Sequence, residues 1–262
     1  MDNSQFLRDY QELQHTIMFD KLIDLGFSRV GYCEGDKSGF WNQALVNKLL
    51  TKGQLDLIEA TLKKLDRPSA VYFENRDSLK PLVEFLIKNN YRHYFEDCWL
   101  FHPGVEINTD RFGQVKKVST ERELNIFLKT FDACFQKNDP QNPYGELGDY
   151  LKVAEKVWHR HQKTNRIEYF TVYSGDEPVG VSTLVNFKQI GYISNVGSLK
   201  KVRGQGFGKL ATLYCVGLSK KRGNHDHCLA TEDGTYPHEF YQRIGFVKKF
   251  SAACYLKEKI TL

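Results

Sequence analysis

The apolar and polar positions of this chain change period several times, and each change marks an element. Residues 5–24 carry apolar positions at helical spacing, and residues 27–33 read as a short strand. The pattern predicts a helix over 54–65, a β-rich run at 70–74, a helix over 78–88 and a strand over 93–101. His102-Pro103-Gly104 ends that strand, and the stretch after it has no clear period. A domain boundary is placed there, dividing the chain into residues 1–108 and 109–262.

The second half starts afresh. Thr120-Glu121-Arg122-Glu123 has the spacing of a capping box, and Leu124, Phe127, Leu128 and Phe131 give the helix it opens an apolar face. After a loop holding Pro140 and Pro143, residues 147–161 read as another helix. Residues 167–173 alternate as a strand, Ser174-Gly175-Asp176-Glu177 is a hairpin turn, and residues 179–187 return antiparallel. A strand over 190–199 runs into a glycine-rich segment. A helix (206–221), a strand (228–231), a helix (237–244) and a strand (247–256) follow. A meander followed by alternating helices and strands predicts an α/β fold, of α+β type with a mixed sheet.

Composition narrows the class. The chain has 262 residues, 26% charged and 41% hydrophobic, which is the balance of a folded protein and not of a disordered one. No apolar run is long enough to span a bilayer, and the start, Met-Asp-Asn-Ser-Gln, lacks a secretory pattern, so a cytoplasmic location without membrane association is expected. The six cysteines stand singly with no C-x-x-C, and read as reduced core residues. The net charge is +5, but acidic residues are interspersed with basic ones. The one basic concentration lies between Lys200 and Lys209, with Lys220-Lys221-Arg222 after it. That pattern points to a local anion site and away from nucleic acid.

The anion site is the turn Arg203-Gly204-Gln205-Gly206-Phe207-Gly208-Lys209. Three glycines in five positions follow a strand and open a helix, where free N–H groups at the positive end of the helix suit a phosphate. A Walker loop is excluded, because Arg203 takes the place of its first glycine and Leu210 that of its hydroxyl. A dinucleotide fingerprint fails at Lys209, and a meander precedes the turn where a βαβ unit should begin.

What fits is R-x-x-G-x-G, and with it the chain resembles the GNAT N-acetyltransferase superfamily over about residues 115–258. The stretch Ile193-Ser194-Asn195-Val196-Gly197-Ser198-Leu199 is similar to that family's bulged fourth strand. Phe240-Tyr241-Gln242-Arg243-Ile244-Gly245-Phe246 is similar to its closing helix and Gly-Phe turn. The resemblance implies a GNAT fold with acetyl-CoA as co-substrate. Val196, Gly197 and Ser198 would then meet the pantetheine arm, and Arg203, Gly204, Gln205, Gly206, Phe207, Gly208 and Lys209 the pyrophosphate. It implies Tyr241 as the acid that protonates the departing thiolate.

The general base is open. Ile190 stands where many family members carry a glutamate, leaving Glu168, Glu232, Asp233, His159 and His161 as candidates, or no dedicated base if a neutral amine is taken from solution. The asparagine that often precedes the family's last helix is replaced by Gly234 and Thr235. His225-x-His227-Cys228 lacks a fourth ligand at zinc spacing, so no metal is expected.

The first half echoes the last motif, with Leu86 falling where Tyr241 stands and no glycine-rich loop. It reads as a degenerate GNAT-like domain or as an unrelated accessory α/β domain. The expected function is direct transfer of an acetyl group from acetyl-CoA to a primary amine of a small molecule or peptide. The alternative is a catalytically silent acyl-CoA sensor or partner-binding module. A homodimer is compatible with either.

Overall fold

The Glu123 backbone N–H is accepted by the Thr120 hydroxyl at 3.3 Å and the Glu123 carboxylate accepts the Thr120 N–H at 3.0 Å, so a capping box does open a helix there. The computed structural model describes residues 2–105 and 107–258. Along the chain come α1 (Asn3–Gln14), β1 (Lys21–Asp24), β2 (Arg29–Tyr32), β3 (Gln43–Leu45), α2 (Lys52–Lys64), β4 (Ala70–Glu74), α3 (Lys80–Lys88) and β5 (Tyr91–His102). Next are β6 (Val115–Lys117), α4 (Glu121–Cys134), α5 (Tyr150–His161), β7 (Ile167–Ser174), β8 (Glu177–Phe187) and β9 (Ile190–Ser198). The last are α6 (Phe207–Lys221), β10 (Asp226–Glu232), α7 (Tyr236–Arg243) and β11 (Val247–Lys257). The chain divides into two compact units, Met1–Cys98 with Phe250–Leu262, and Trp99–Lys249. The division read from the sequence fell at 108/109 instead.

In the first unit β1, β2 and β3 pair antiparallel in order, and β3 then lies parallel to β4 with α2 as the crossover. The far side of β4 pairs antiparallel with residues 252–256 of the last strand. Leu55, Ile58 and Leu62 recur at helical spacing on α2 and are fully buried with Val30, Val71, Phe73, Leu82 and Leu86.

The second unit runs as a longer meander, β6–β7–β8–β9, after which β9 and β10 are parallel with α6 between them. Gly175 and Asp176 make the two-residue turn between β7 and β8, with Gly175 at φ 59°. The aromatic side of α4 packs on β7, where the rings of Phe127 and Tyr169 have centroids 4.7 Å apart. All six cysteines are buried, and none is in a disulfide among the described residues.

The helix expected over 5–24 stops ten residues early. His15 is extended (φ −62°, ψ 131°) and Thr16 turns through φ 68°, which sends residues 21–24 into a ladder with β2. Ile17, Met18 and Phe19 are buried in that turn, so burial created the apolar period there without a helix. β3 and β6, three residues each, are too short to display a period and were missed.

Candidate active site

Parallel pairing of β9 with β10 covers Ile190, Gly191 and Tyr192 against Asp226, His227 and Cys228 and goes no further, although β9 continues to Ser198 and β10 to Glu232. The strands part at that point. On the other side of β9 the register with β8 slips between Val181 and Thr183, so that Val181 faces Gly197 while Thr183 faces Ser194. The extra residue is a bulge, with Asn195 at φ 53° and its side-chain oxygen held by the Tyr150 hydroxyl at 3.0 Å. Ile190 to Ile193 are buried; Ser194 to Ser198, Val196 among them, are half-buried. Residues 194–198 of β9 thus lie, half-buried, beyond the ladder with β10.

The glycine turn lies at the end of this strand. Gly204 and Gly206 take φ 80° and 82°, a region that disfavours any residue with a Cβ, and Gly206 is the N-cap of α6 with no capping side chain. The first bond of the helix runs from the Leu210 N–H to the Gly206 carbonyl at 2.9 Å, so the N–H groups of Phe207, Gly208 and Lys209 precede the intrahelical ladder. Gly208 differs: a Cβ there would make ordinary contacts, with the Phe240 ring at 3.5 Å and the Ser198 hydroxyl at 3.9 Å. Gln205 and Lys209 are exposed, and Phe207 is buried under the turn.

Two members of the expected set have structural duties. Both terminal nitrogens of Arg203 bond the Asp139 carboxylate, at 2.8 and 2.6 Å, in a pair that is largely out of solvent. Gly197 lets the end of α4 approach, since a Cβ would come within 2.6 Å of the Cys134 Cβ and 2.9 Å of Phe135. One cation was missed by the sequence reading. Arg111 donates to the Gln205 carbonyl at 3.1 Å and lies 4.8 Å from the centre of the Phe207 ring. It sits in the stretch that showed no period, and nothing local signals where it goes.

Tyr241 lies on α7 between the rings of Phe240 and Phe246, with centroids 5.1 and 5.7 Å away. Burial pushes its phenol well above the usual tyrosine range, and Tyr144 and Cys215 add to the rise. The hydroxyl therefore keeps its proton at any pH near neutral. Tyr144 shares a 2.7 Å hydrogen bond with Thr231 on β10.

The candidate bases fare unequally. Glu168 is buried and bonds Arg222 at 2.6 and 2.7 Å and Lys117 at 2.8 Å, which suits an ion-pair anchor and not a group that accepts a substrate proton. Asp233 is held low by Lys248, 2.7 Å away, with His238 at 3.0 Å. His159 is an exposed partner of Glu121 at 3.4 Å, and His161 is half-buried at the end of α5. Glu232 is exposed at the end of β10, on the strand that parts from β9. His227 lies 2.7 Å from the Ser219 hydroxyl, and burial raises the thiol of Cys228.

Residues 125–246 match the model of the acetyltransferase (GNAT) family. No curated protein matches the sequence. Among solved structures, a GCN5-related N-acetyltransferase from Kribbella flavida is similar at 15% identity and a TM-score of 0.68, over 99% of this chain and 96% of that one. A functionally unknown conserved protein from Staphylococcus epidermidis is similar at 17% identity and 0.67, over 93% and 96%. A GCN5-related N-acetyltransferase from Sphaerobacter thermophilus gives 14% and 0.57, over 97% and 84%. The likeness of fold thus extends over both halves of the chain.

Proposed function

Residues 125–246 form an acetyltransferase (GNAT) domain, and from that premise we propose that this protein transfers an acetyl group directly from acetyl-CoA to a primary amine of a small molecule or peptide. The observation that carries the proposal is the uncapped start of α6, at two left-handed glycines, beside the point where β9 and β10 part. Free N–H groups at a helix start suit a pyrophosphate, and an unpaired strand edge suits the amide-bearing arm attached to it.

Acetyl-CoA would supply an activated thioester carbonyl. The chain's own part is to hold that co-substrate along residues 196–209, keep water out, and place a proton where a thiolate forms. As the C–N bond forms and the C–S bond breaks, Tyr241 gives its proton to the sulfur, and the new amide nitrogen releases one to solvent, from which the phenol is restored.

The first unit has the same order of pairings, a meander and then a parallel pair with a helical crossover. The start of α2, however, is closed by Thr51 and Gln54, which cap each other's N–H groups at 3.3 and 2.9 Å. We read it as a degenerate copy whose helix start is capped by its own side chains. Titration calorimetry should therefore give one acetyl-CoA per chain, with NADH and ATP binding far more weakly; equal binding of ATP would remove the reading.

A second reading, an acyl-CoA sensor without turnover, draws on the engagement of Glu168 and Asp233 in ion pairs. Thiol release from acetyl-CoA against a panel of amines, polyamines, aminoglycosides and peptides separates the two. Tight binding with no release from any class favours the sensor.

A further inference from the structure

We propose that Arg111 is a phosphate ligand of the acyl-CoA, supplying to the glycine turn the charge that Arg203 has given to Asp139. The inference rests on the acyl-CoA reading above.

The turn has fewer free cations than its sequence suggests. Of Lys200, Lys201, Arg203 and Lys209, Lys201 is paired with Glu177 and Arg203 with Asp139. Arg111 makes up the difference from outside the motif. Its backbone is fixed by two successive turns, Phe112 N–H to the Thr109 carbonyl and Gln114 N–H to the Arg111 carbonyl, both 2.9 Å. Its neighbour Phe112 packs edge-on against Tyr214 of α6, ring centroids 5.1 Å apart. The guanidinium is then aimed along α6 towards its start.

Three contacts hold it there: the Gln114 side-chain oxygen at 3.0 Å, the Gln205 carbonyl at 3.1 Å and the face of Phe207. One terminal nitrogen lies 3.5 Å from the place a Cβ at Gly206 would occupy, directly against the glycine that caps the helix. A guanidinium has five donors, and these contacts use two of them. The remainder have no partner among the described residues, on an exposed side chain whose position is already set, so little rotamer entropy is lost when an anion arrives. Stacking on an aromatic ring and a forked approach to phosphate are both properties of arginine that lysine lacks.

The test is calorimetric titration of CoA and of dephospho-CoA into the parent, Arg111→Gln and Arg111→Lys, with thermal melting of each protein without ligand. Loss of a charge-assisted contact should weaken CoA about tenfold or more in Arg111→Gln and less in Arg111→Lys, while the ligand-free melting temperature stays the same. If dephospho-CoA loses as much, the ligand is the pyrophosphate; if it loses nothing, the ligand is the ribose 3′-phosphate. Either supports the assignment. Unchanged CoA affinity in Arg111→Gln overturns it, as does an equal loss in both variants accompanied by a lower melting temperature, which marks a brace for the turn. A parent that binds no CoA fails at the first titration, and that result removes the acyl-CoA reading itself.

Discussion

Arg203 grips Asp139 through two hydrogen bonds, 2.8 and 2.6 Å, across 64 positions of sequence. The pair fastens the strand-to-helix turn to the loop that follows α4, where Asp139 also accepts the Gln141 N–H at 3.0 Å. An arginine at the head of a glycine turn would be expected to meet phosphate. Here its fork is filled by a carboxylate of the same chain.

Arg203 should therefore matter more to stability than to ligand affinity. A double-mutant cycle with Arg203→Gln and Asp139→Asn should give a coupling of roughly 1–3 kcal/mol in urea unfolding, with CoA affinity lowered less by Arg203→Gln than by Arg111→Gln. The Arg203 guanidinium holds the Asp139 carboxyl below its ordinary value of 3.8. The folded value is the lower one, so this contribution is complete at neutral pH and is lost as pH falls below about 4 through the folded value. Asp139→Asn should accordingly flatten the acid side of the stability curve; an unchanged curve would argue against the pair.

Two glycines of the turn should respond differently. Gly206 is left-handed, so Gly206→Ala should cost roughly 1–2 kcal/mol of stability. A Cβ at Gly208 would make only ordinary contacts, with Phe240 and the Ser198 hydroxyl, and a carboxylate in the first turn of a helix is favourable. Gly208→Asp should therefore melt at or slightly above the parent temperature while CoA affinity falls at least about tenfold by repulsion of phosphate. Retained affinity in calorimetry would place the phosphates elsewhere.

Glu168→Gln should destabilise the fold by roughly 2–4 kcal/mol, because it leaves Arg222 and Lys117 without their buried carboxylate. Turnover per folded molecule should not change. A selective loss of turnover at constant stability would return Glu168 to the list of bases.

Tyr241→Phe keeps the packing against Phe240 and Phe246 and removes only the hydroxyl. CoA affinity should stay within about twofold while turnover falls on the order of 10²-fold where chemistry is limiting. Because burial holds the phenol above its usual value of 10.0, the parent's rate should show no descending limb from this group below about pH 10. Equal turnover in the two proteins would make the hydroxyl structural.

The sequence by itself determined the features whose causes are local. The capping box at Thr120 and Glu123, the Gly175-Asp176 hairpin and the glycine turn opening α6 each rest on residues within four positions of one another, and each is present. The bulge in β9 was implied by the likeness of Ile193 to Leu199 to a family strand, and asparagine at 195 is one of the residue types that tolerate the left-handed backbone found there.

What only the tertiary structure decided is which partner each charge and each short segment takes. Helical spacing over residues 5–24 yielded to a ladder with β2, because Ile17, Met18 and Phe19 could be buried in a turn as well as on a helix. Arg203 and Glu168 carry charges suited to ligand chemistry, and folding brings each against an opposite charge 64 and 54 positions away. Arg111 reaches the turn across 94 positions. A side chain's type sets what it can bind, but an ion pair forms only where folding brings the second charge within a few ångströms, and no period or spacing along the chain encodes that distance.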